Sequence, residues 1–191
     1  MRIATWLVLA VGAGLAGCGD GPRAGSTEAN SAATRSADAP AEARLAAVVA
    51  GDEQLGRLNR IVGNAGMVDL LNGVGPYTLF APTDDALNSL GAERADALAG
   101  AAMRPQAGAL LRSHTVPGTL TRRDLEVAIA GAGNRPVRMR SMADTMLTFT
   151  REGDAIVISS DQGGRGRLTG QEGLASNGAV QPVDGLLVKA Q

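Results

Sequence analysis

The adjacent residues Ser113 and His114 have the side-chain types that nucleophilic catalysis uses. A serine nucleophile needs a base within hydrogen-bond reach and a third group that orients the base. Adjacent residues of an extended segment point to opposite faces, so we do not expect these two side chains to pair. The sequence contains no G-x-S-x-G motif, although another serine could meet His114 in the folded chain. We interpret His114 as a buried, neutral imidazole that bridges two backbone groups, with a place on an interaction surface as the alternative.

A second candidate for chemistry is the acidic pair Asp84 and Asp85, which could act as acid and base or bind a cation. The pair follows a short apolar run, Tyr77 to Phe80, that predicts a strand ended by Pro82, because proline cannot donate to a sheet ladder. Thr83 then fits an N-cap whose hydroxyl accepts a free backbone N–H, and the helix dipole favours acids in the first turn. Neighbouring helical side chains diverge, and no further acids follow at ligand spacing. The sequence therefore favours capping over chemistry.

The composition excludes several kinds of site. One histidine and one cysteine cannot supply a zinc site, and a single cysteine cannot form an intramolecular disulfide. The only lysine, Lys189, lies near the end of the chain, which excludes a P-loop lysine and a Schiff-base lysine. A net charge of -1 gives no general attraction to nucleic acid. We therefore expect no metal, no cofactor and no nucleic-acid partner.

Four arginines offer a binding surface for anions. The glycine-rich stretch from Asp161 to Leu168 contains Arg165 and Arg167, and glycine-rich turns can form anion-binding nests. Arg138 and Arg140 alternate with apolar residues, which places both on one face of a strand. Together the arginines could form a basic strip for an anionic polysaccharide or lipid headgroups. A loop between strands with solvated arginines is the simpler interpretation of the glycine-rich stretch.

The N-terminal residues predict a lipid anchor. Arg2 precedes an apolar run that begins at Ile3 and is too short to span a bilayer, as in a secretory signal. The stretch from Leu15 to Cys18 resembles the lipobox of bacterial lipoproteins, in which the cysteine is acylated and becomes the first mature residue; an ordinary signal peptide with a chance cysteine is the alternative. Gly19 stands where aspartate often signals inner-membrane retention, so we expect the outer membrane if the organism is Gram-negative.

The sequence therefore divides into three segments. Residues 1–17 are the expected lipoprotein signal peptide, residues 18–40 a flexible tether and residues 41–191 a folded domain. The tether is small and polar without periodicity, so it has little apolar surface to offset the entropy of ordering. We expect a membrane-anchored, extracytoplasmic domain.

Hydrophobic spacing divides the folded domain into a helical half and a strand-rich half. Apolar residues recur at helical spacing between Glu42 and Leu71, and the segments 93–100, 105–114 and 119–132 also fit helices, the last with Thr121 as N-cap. After residue 134 the period changes to two, and the segments 136–142, 145–150, 155–159 and 165–170 fit strands. Asn177 begins a tight turn before the apolar run 179–188. This distribution predicts an α+β fold with a mainly antiparallel sheet.

Three stretches in order resemble the signatures of fasciclin (FAS1) domains. They are "YTLFAPTDDAL" from residue 77, "LLRSHTVPGTLT" from residue 110 and "SNGAVQPVDGLLV" from residue 176. The resemblance covers about residues 42–189. It implies a β-sandwich or wedge with helices packed around it, and it implies that Asn177 and Asp184 shape the closing signature. Ser113 and Gln181 depart from the tyrosine and histidine that the family often has. Because the tyrosine before His114 is missing, a role in integrin contact is not carried over.

The resemblance also implies extracellular adhesion or protein interaction, and rarely catalysis. With the expected acylation of Cys18, it points to a non-catalytic, lipid-anchored surface module whose partner is an unknown protein or polysaccharide. The alternative function is a periplasmic or surface module that binds a small molecule or a carbohydrate.

Overall fold

The helical spacing of the first half is realised in a set of short helices. The computed structural model describes residues 42–133 and 135–189, and within them the α-helices are α1 (Leu45–Ala50), α2 (Gly56–Ala65), α3 (Val68–Leu71), α4 (Asp84–Asn88), α5 (Ala92–Leu98), α6 (Arg104–Ser113) and α7 (Arg122–Gly131). Short 3₁₀ turns precede α2 and α6. None of the described helices is long and apolar enough to cross a bilayer.

The strands lie mostly in the second half of the described chain. They are β1 (Tyr77–Pro82), β2 (Thr115–Pro117), β3 (Val137–Arg140), β4 (Met146–Glu152), β5 (Ala155–Ser160), β6 (Arg165–Arg167), β7 (Gly173–Ala175) and β8 (Gly178–Val183). They form two four-stranded sheets, one in the order β2-β1-β8-β7 and one in the order β3-β4-β5-β6. Of the named strand pairs, β1 with β8 is parallel and the others are antiparallel.

Strands β1 and β8 are buried on both faces because each face meets a different hydrophobic cluster. Leu79 and Val180 lie in the cluster formed with α1 to α6. Phe80 and Val183 lie in the cluster formed with the sheet β3-β4-β5-β6 and α7. The Phe80 and Phe149 rings meet there with centroids 5.3 Å apart. The first sheet is therefore the middle layer between helices and the second sheet, so its central strands read as apolar runs.

The α+β fold class is confirmed, with helices concentrated in the first half and strands in the second. Three details differ from the expectation. Strand β1 includes Pro82, whose missing N–H costs no ladder bond. The hydrogen bond to β8 at this end of the strand comes from the next residue, because the Thr83 N–H donates to the Val183 carbonyl at 3.0 Å. The strands β2 and β7 were not expected, since three residues are too few to show a period.

Candidate functional site

Four exposed arginines lie on one side of the sheet β3-β4-β5-β6, and we call this side the arginine face. Its cations are Arg138, Arg140, Arg165 and Arg167. The opposite side of the same sheet is buried in the core by residues such as Leu147, Phe149, Ile156 and Ile158. The sheet therefore has one apolar side and one open, cationic side, as a half-solvated antiparallel sheet should.

The strand register sets these arginines on one face. Arg138 pairs with Thr148, Thr148 with Ser159, and Ser159 with Arg165. Directly opposite residues of antiparallel strands share a face, so these four side chains form one row across the sheet. Neighbouring strands lie about 4.8 Å apart, which separates the Arg138 and Arg165 Cα atoms by about 14 Å.

The remaining two arginines extend this row into a diagonal. Arg140 lies two residues after Arg138 in β3, and Arg167 lies two residues after Arg165 in β6. Both therefore point to the same side of the sheet as the row. Because β3 and β6 run in opposite directions, the two arginines extend the row toward opposite ends of the sheet. The diagonal from Arg140 to Arg167 is about 20 Å long by strand geometry.

Two of the four arginines have acidic partners. Arg140 Nη1 lies 2.7 Å from Asp144 Oδ1, and Arg165 Nη2 lies 2.6 Å from Glu152 Oε1. Both pairs are largely exposed, so each contributes at most about 1 kcal/mol and weakens with salt. Arg138 and Arg167 form no ion pair with any residue in the ranges 42–133 and 135–189. The arginine face therefore keeps an excess of positive charge.

The Arg165–Glu152 pair also covers an apolar residue. Val157 lies on the arginine face opposite Thr150 and Arg167, yet it is 0% exposed. Arg165 and Glu152 are its diagonal neighbours on the two flanking strands, and their side chains are hydrogen-bonded to each other. The ion pair thus crosses over Val157 and restrains the Arg165 guanidinium on the arginine face.

His114 lies in the interior, 0% exposed. Its Nδ1 donates to the Leu110 carbonyl at 2.8 Å, and its Nε2 accepts from the Leu187 N–H at 3.0 Å. This pattern requires the neutral ring. Burial, partly opposed by the bond to Leu110, lowers the pKa of His114 to about 4. A place for His114 on an interaction surface is therefore incompatible with the structure, because solvent does not reach the ring.

Ser113 and His114 do not form a catalytic pair. Ser113 is the last residue of α6, and its hydroxyl donates to the Ala109 carbonyl at 3.0 Å. His114 is the C-cap of the same helix, and both of its ring nitrogens are bonded to backbone groups. The segment is a helix end, not the extended stretch that we expected. The imidazole therefore holds α6 to the segment at Leu187 and has no nitrogen left to act as a base for a serine.

Asp84 and Asp85 lie in the first turn of α4, after Thr83. Thr83 Oγ1 accepts from the Ala86 N–H at 3.2 Å. Asp84 Oδ1 accepts from the backbone N–H of Arg57 at 2.9 Å, in the first turn of α2. This carboxylate therefore satisfies a free donor of a second helix, a contact that the sequence did not indicate. Asp85 is exposed.

Asn177 joins three segments of the chain. Its Oδ1 accepts from the Leu45 N–H at 3.0 Å, and its Nδ2 donates to the Leu71 and Gly73 carbonyls, each at 2.8 Å. The side chain is buried and uses its acceptor and both donors. Asn177 thereby fixes the start of α1 and the end of α3 against the turn before β8.

Asp184 holds one edge of the arginine face. Its Oδ1 accepts from the Arg167 N–H at 2.6 Å, and its own N–H donates to the Arg167 carbonyl at 3.1 Å. The segment after β8 therefore lines the free edge of β6. Asp184 fixes the backbone of Arg167 and leaves its guanidinium on the open face.

Sequence reasoning named the arginines but missed the residues between them. Thr148 and Ser159 complete the row, and Glu152 positions Arg165. The alternation at residues 147–150 indicates which residues of β4 point outward, whereas the apolar run at 155–158 gives no such signal for β5. Within the described ranges, no group of three or more His, Cys, Asp or Glu side chains could hold a metal ion. Cys18, the signal peptide and the tether over 18–40 lie outside the described residues.

The fold and this site define an α+β domain in which helices cover one sheet and no described residue range covers the arginine face of the other sheet. The sequence profile of the Fasciclin domain matches residues 53–189. The chain therefore belongs to the Fasciclin domain family. A solved structure of a FAS1 domain pair from the insect cell adhesion molecule Fasciclin I is similar, with a TM-score of 0.65 and 16% identity. It matches over 78% of this chain and 52% of the solved chain.

Curated relatives come from bacteria and animals. Protein sll1483 of Synechocystis is 29% identical over 74% of this chain and 71% of its own length. Human Stabilin-1 is 28% identical over 74% of this chain, and the transforming growth factor-beta-induced protein ig-h3 of Sus scrofa is 24% identical over 73%. The chain spans only 5% and 18% of these two animal proteins. The similarity to them is therefore that of one domain to a much longer protein.

Proposed function

We propose that this chain is an extracytoplasmic adhesion module, anchored to a membrane through lipid on Cys18, that binds an acidic polysaccharide with its arginine face. Membership of the Fasciclin domain family supports the adhesion role, because the similar solved structure is part of a cell adhesion molecule. The binding is non-covalent, so no residue of the chain is assigned a catalytic role.

The observation that carries this proposal is the diagonal of Arg138, Arg140, Arg165 and Arg167 on an open sheet. A guanidinium presents a planar fork of donors that matches a carboxylate or a sulfate. A polymer that crosses the sheet meets a second cation after about 14 Å and passes hydroxyl groups of Thr148 and Ser159 between them.

The acidic neighbours reduce the positive charge of the arginine face but do not neutralise it. Asp144 pairs with Arg140 through an exposed, salt-sensitive contact, so an incoming anion can replace it. Glu152 instead keeps Arg165 in place over Val157. Arg138 and Arg167 form no side-chain ion pair among the described residues, and because the Asp184 carboxylate lies at the Arg167 backbone, Arg138 is the first contact for a polymer.

A binding assay with defined polymers tests the proposed function. The purified full chain would be passed over immobilised dextran sulfate, polygalacturonate and uncharged dextran at 50 to 500 mM NaCl. We expect binding to the two acidic polymers that weakens at least tenfold over this range, because the Debye length falls from about 14 Å to about 4 Å. Equal binding to uncharged dextran, or binding that salt does not weaken, would contradict the proposal.

The anchor is tested separately. The substitution Cys18→Ala should move the chain from the membrane fraction to the soluble fraction or leave it unprocessed, and should remove acyl mass from the protein. In a Gram-negative cell, the wild-type chain should fractionate with the outer membrane. Unchanged membrane association of the alanine variant would refute anchoring through Cys18 without affecting the arginine face.

A further inference from the structure

An apolar groove lies between α5 and α6. Its volume is about 390 Å³, which lies within the range of small-molecule sites. Its apolar lining includes Leu98, Met103, Leu110 and Val188, which belong to three separate parts of the chain. A shallower depression over residues 90–94 adjoins it but has a single short segment as its wall.

One side of the groove is held together by a hydrogen bond between two loops. Ala143 and Gln162 come from the loops that follow β3 and β5 and form one side. The two loops are joined because Gln162 Nε2 donates to Thr145 Oγ1 at 3.0 Å. Met103 on the opposite side is unbranched and can adapt to the shape of a ligand. The groove therefore has one side that a hydrogen bond restrains and one methionine that can adapt.

Two basic residues line the groove. Arg94 and Lys189 are the charged residues among those that line it, and no acidic residue does so. Lys189 is also the only lysine in the sequence. A ligand with an apolar body and one anionic group would place the body on the leucines and the anion near Lys189.

We infer that the α5–α6 groove binds a medium-chain fatty acid, with its alkyl chain along Leu98 and Leu110 and its carboxylate near Lys189. The inference shares no residue with the arginine face and does not depend on the proposed adhesion function. Uncharged alcohols and neutral lipids lack the anion and are the wrong ligands for this groove.

Calorimetric titration of the purified full chain with decanoate and with decanol tests the inference. We expect one decanoate per chain and at least tenfold weaker binding of decanol. Ala109 is exposed and lines the groove, so Ala109→Phe should fill the groove and reduce decanoate binding at least tenfold. Ala128→Phe adds the same ring at an exposed position of α7 and should leave binding unchanged.

The role of charge is tested with Lys189→Gln, which should weaken the binding of decanoate at least fivefold and leave the binding of decanol unchanged. Arg104→Gln removes an equal charge at an exposed position outside the groove lining and is the matched control. Thermal unfolding of each variant shows that the fold is retained. Equal affinity for decanoate and decanol, full decanoate binding by Ala109→Phe, or no decanoate binding by the wild-type chain would each overturn the inference.

Discussion

Because the imidazole of His114 is buried, we predict that the protein loses stability as the pH falls. Its folded-state pKa of about 4 lies below its ordinary value of 6.5, because burial disfavours the charged ring. Protons therefore bind the unfolded chain preferentially between these two values. The contribution of His114 to stability is complete above pH 6.5 and is lost as the pH falls toward 4.

The size of this loss follows from the pKa difference. Each pKa unit corresponds to about 1.4 kcal/mol, so the full loss below pH 4 is about 3 kcal/mol. Between pH 7.5 and pH 5 the free energy of unfolding should fall by about 2 kcal/mol through His114 alone. His114 is the only histidine, so no other side chain has an ordinary pKa in the middle of this window. Hydrogen bonds from Thr121 lower the pKa of Asp124, so that carboxylate titrates at more acidic pH.

Urea unfolding at constant ionic strength measures this loss. The matched variant is His114→Gln, because the glutamine oxygen can still accept from the Leu187 N–H but does not titrate. The wild-type unfolding free energy should fall about 2 kcal/mol more than that of the variant between pH 7.5 and pH 5. Parallel curves for the two proteins would refute the reasoning. The single imidazole signal in an NMR titration should have its midpoint near 4, and a midpoint near 6.5 would also refute it.

Three further substitutions test how the closing segment and a helix cap hold the fold, each read by urea unfolding at pH 7.5. Gly178→Ala should lower the free energy of unfolding by at least about 3 kcal/mol, because the new Cβ would lie 1.8 Å from the Tyr77 carbonyl oxygen. The control is Gly63→Ala, whose Cβ would have nothing within 4 Å and which should raise the free energy of unfolding by about 1 kcal/mol. Asn177→Ala should cost about 3 kcal/mol or more, since it removes three hydrogen bonds from a buried site, and a cost under 1 kcal/mol would contradict that role. Thr121→Ala should cost about 1 kcal/mol through loss of the capping box, and an unchanged free energy would contradict it.

The sequence predicted those parts of the fold that rest on local pattern. The apolar run at Tyr77–Phe80, the Thr83 cap and the change from helical to alternating spacing after residue 134 are all local, and each predicted element is present in the structure. The resemblance to fasciclin domains then supplied an arrangement that local pattern cannot give. The parallel pairing of β1 with β8 joins residues about 100 positions apart, so no periodicity indicates it.

The candidate site was only partly predictable for the same reason. Alternation placed Arg138 and Arg140 on one face of β3, but only the register of four strands shows that Arg165 and Arg167 share that face. A slip of one residue would have turned either pair toward the core. The α5–α6 groove is formed by two helices, two loops and the last described residues, and it has no sequence signal at all.

The central claim is that the arginine face, not the overall charge of the chain, binds an acidic polymer. The most direct measurement compares two variants that lose the same number of cations. One changes Arg138, Arg140, Arg165 and Arg167 to Gln, and the other changes four exposed arginines elsewhere, Arg60, Arg104, Arg112 and Arg123, to Gln. In dextran sulfate binding at 100 mM NaCl, we predict that the first variant loses at least tenfold in affinity and that the second stays within about twofold of wild type. Equal losses in the two variants would contradict the claim.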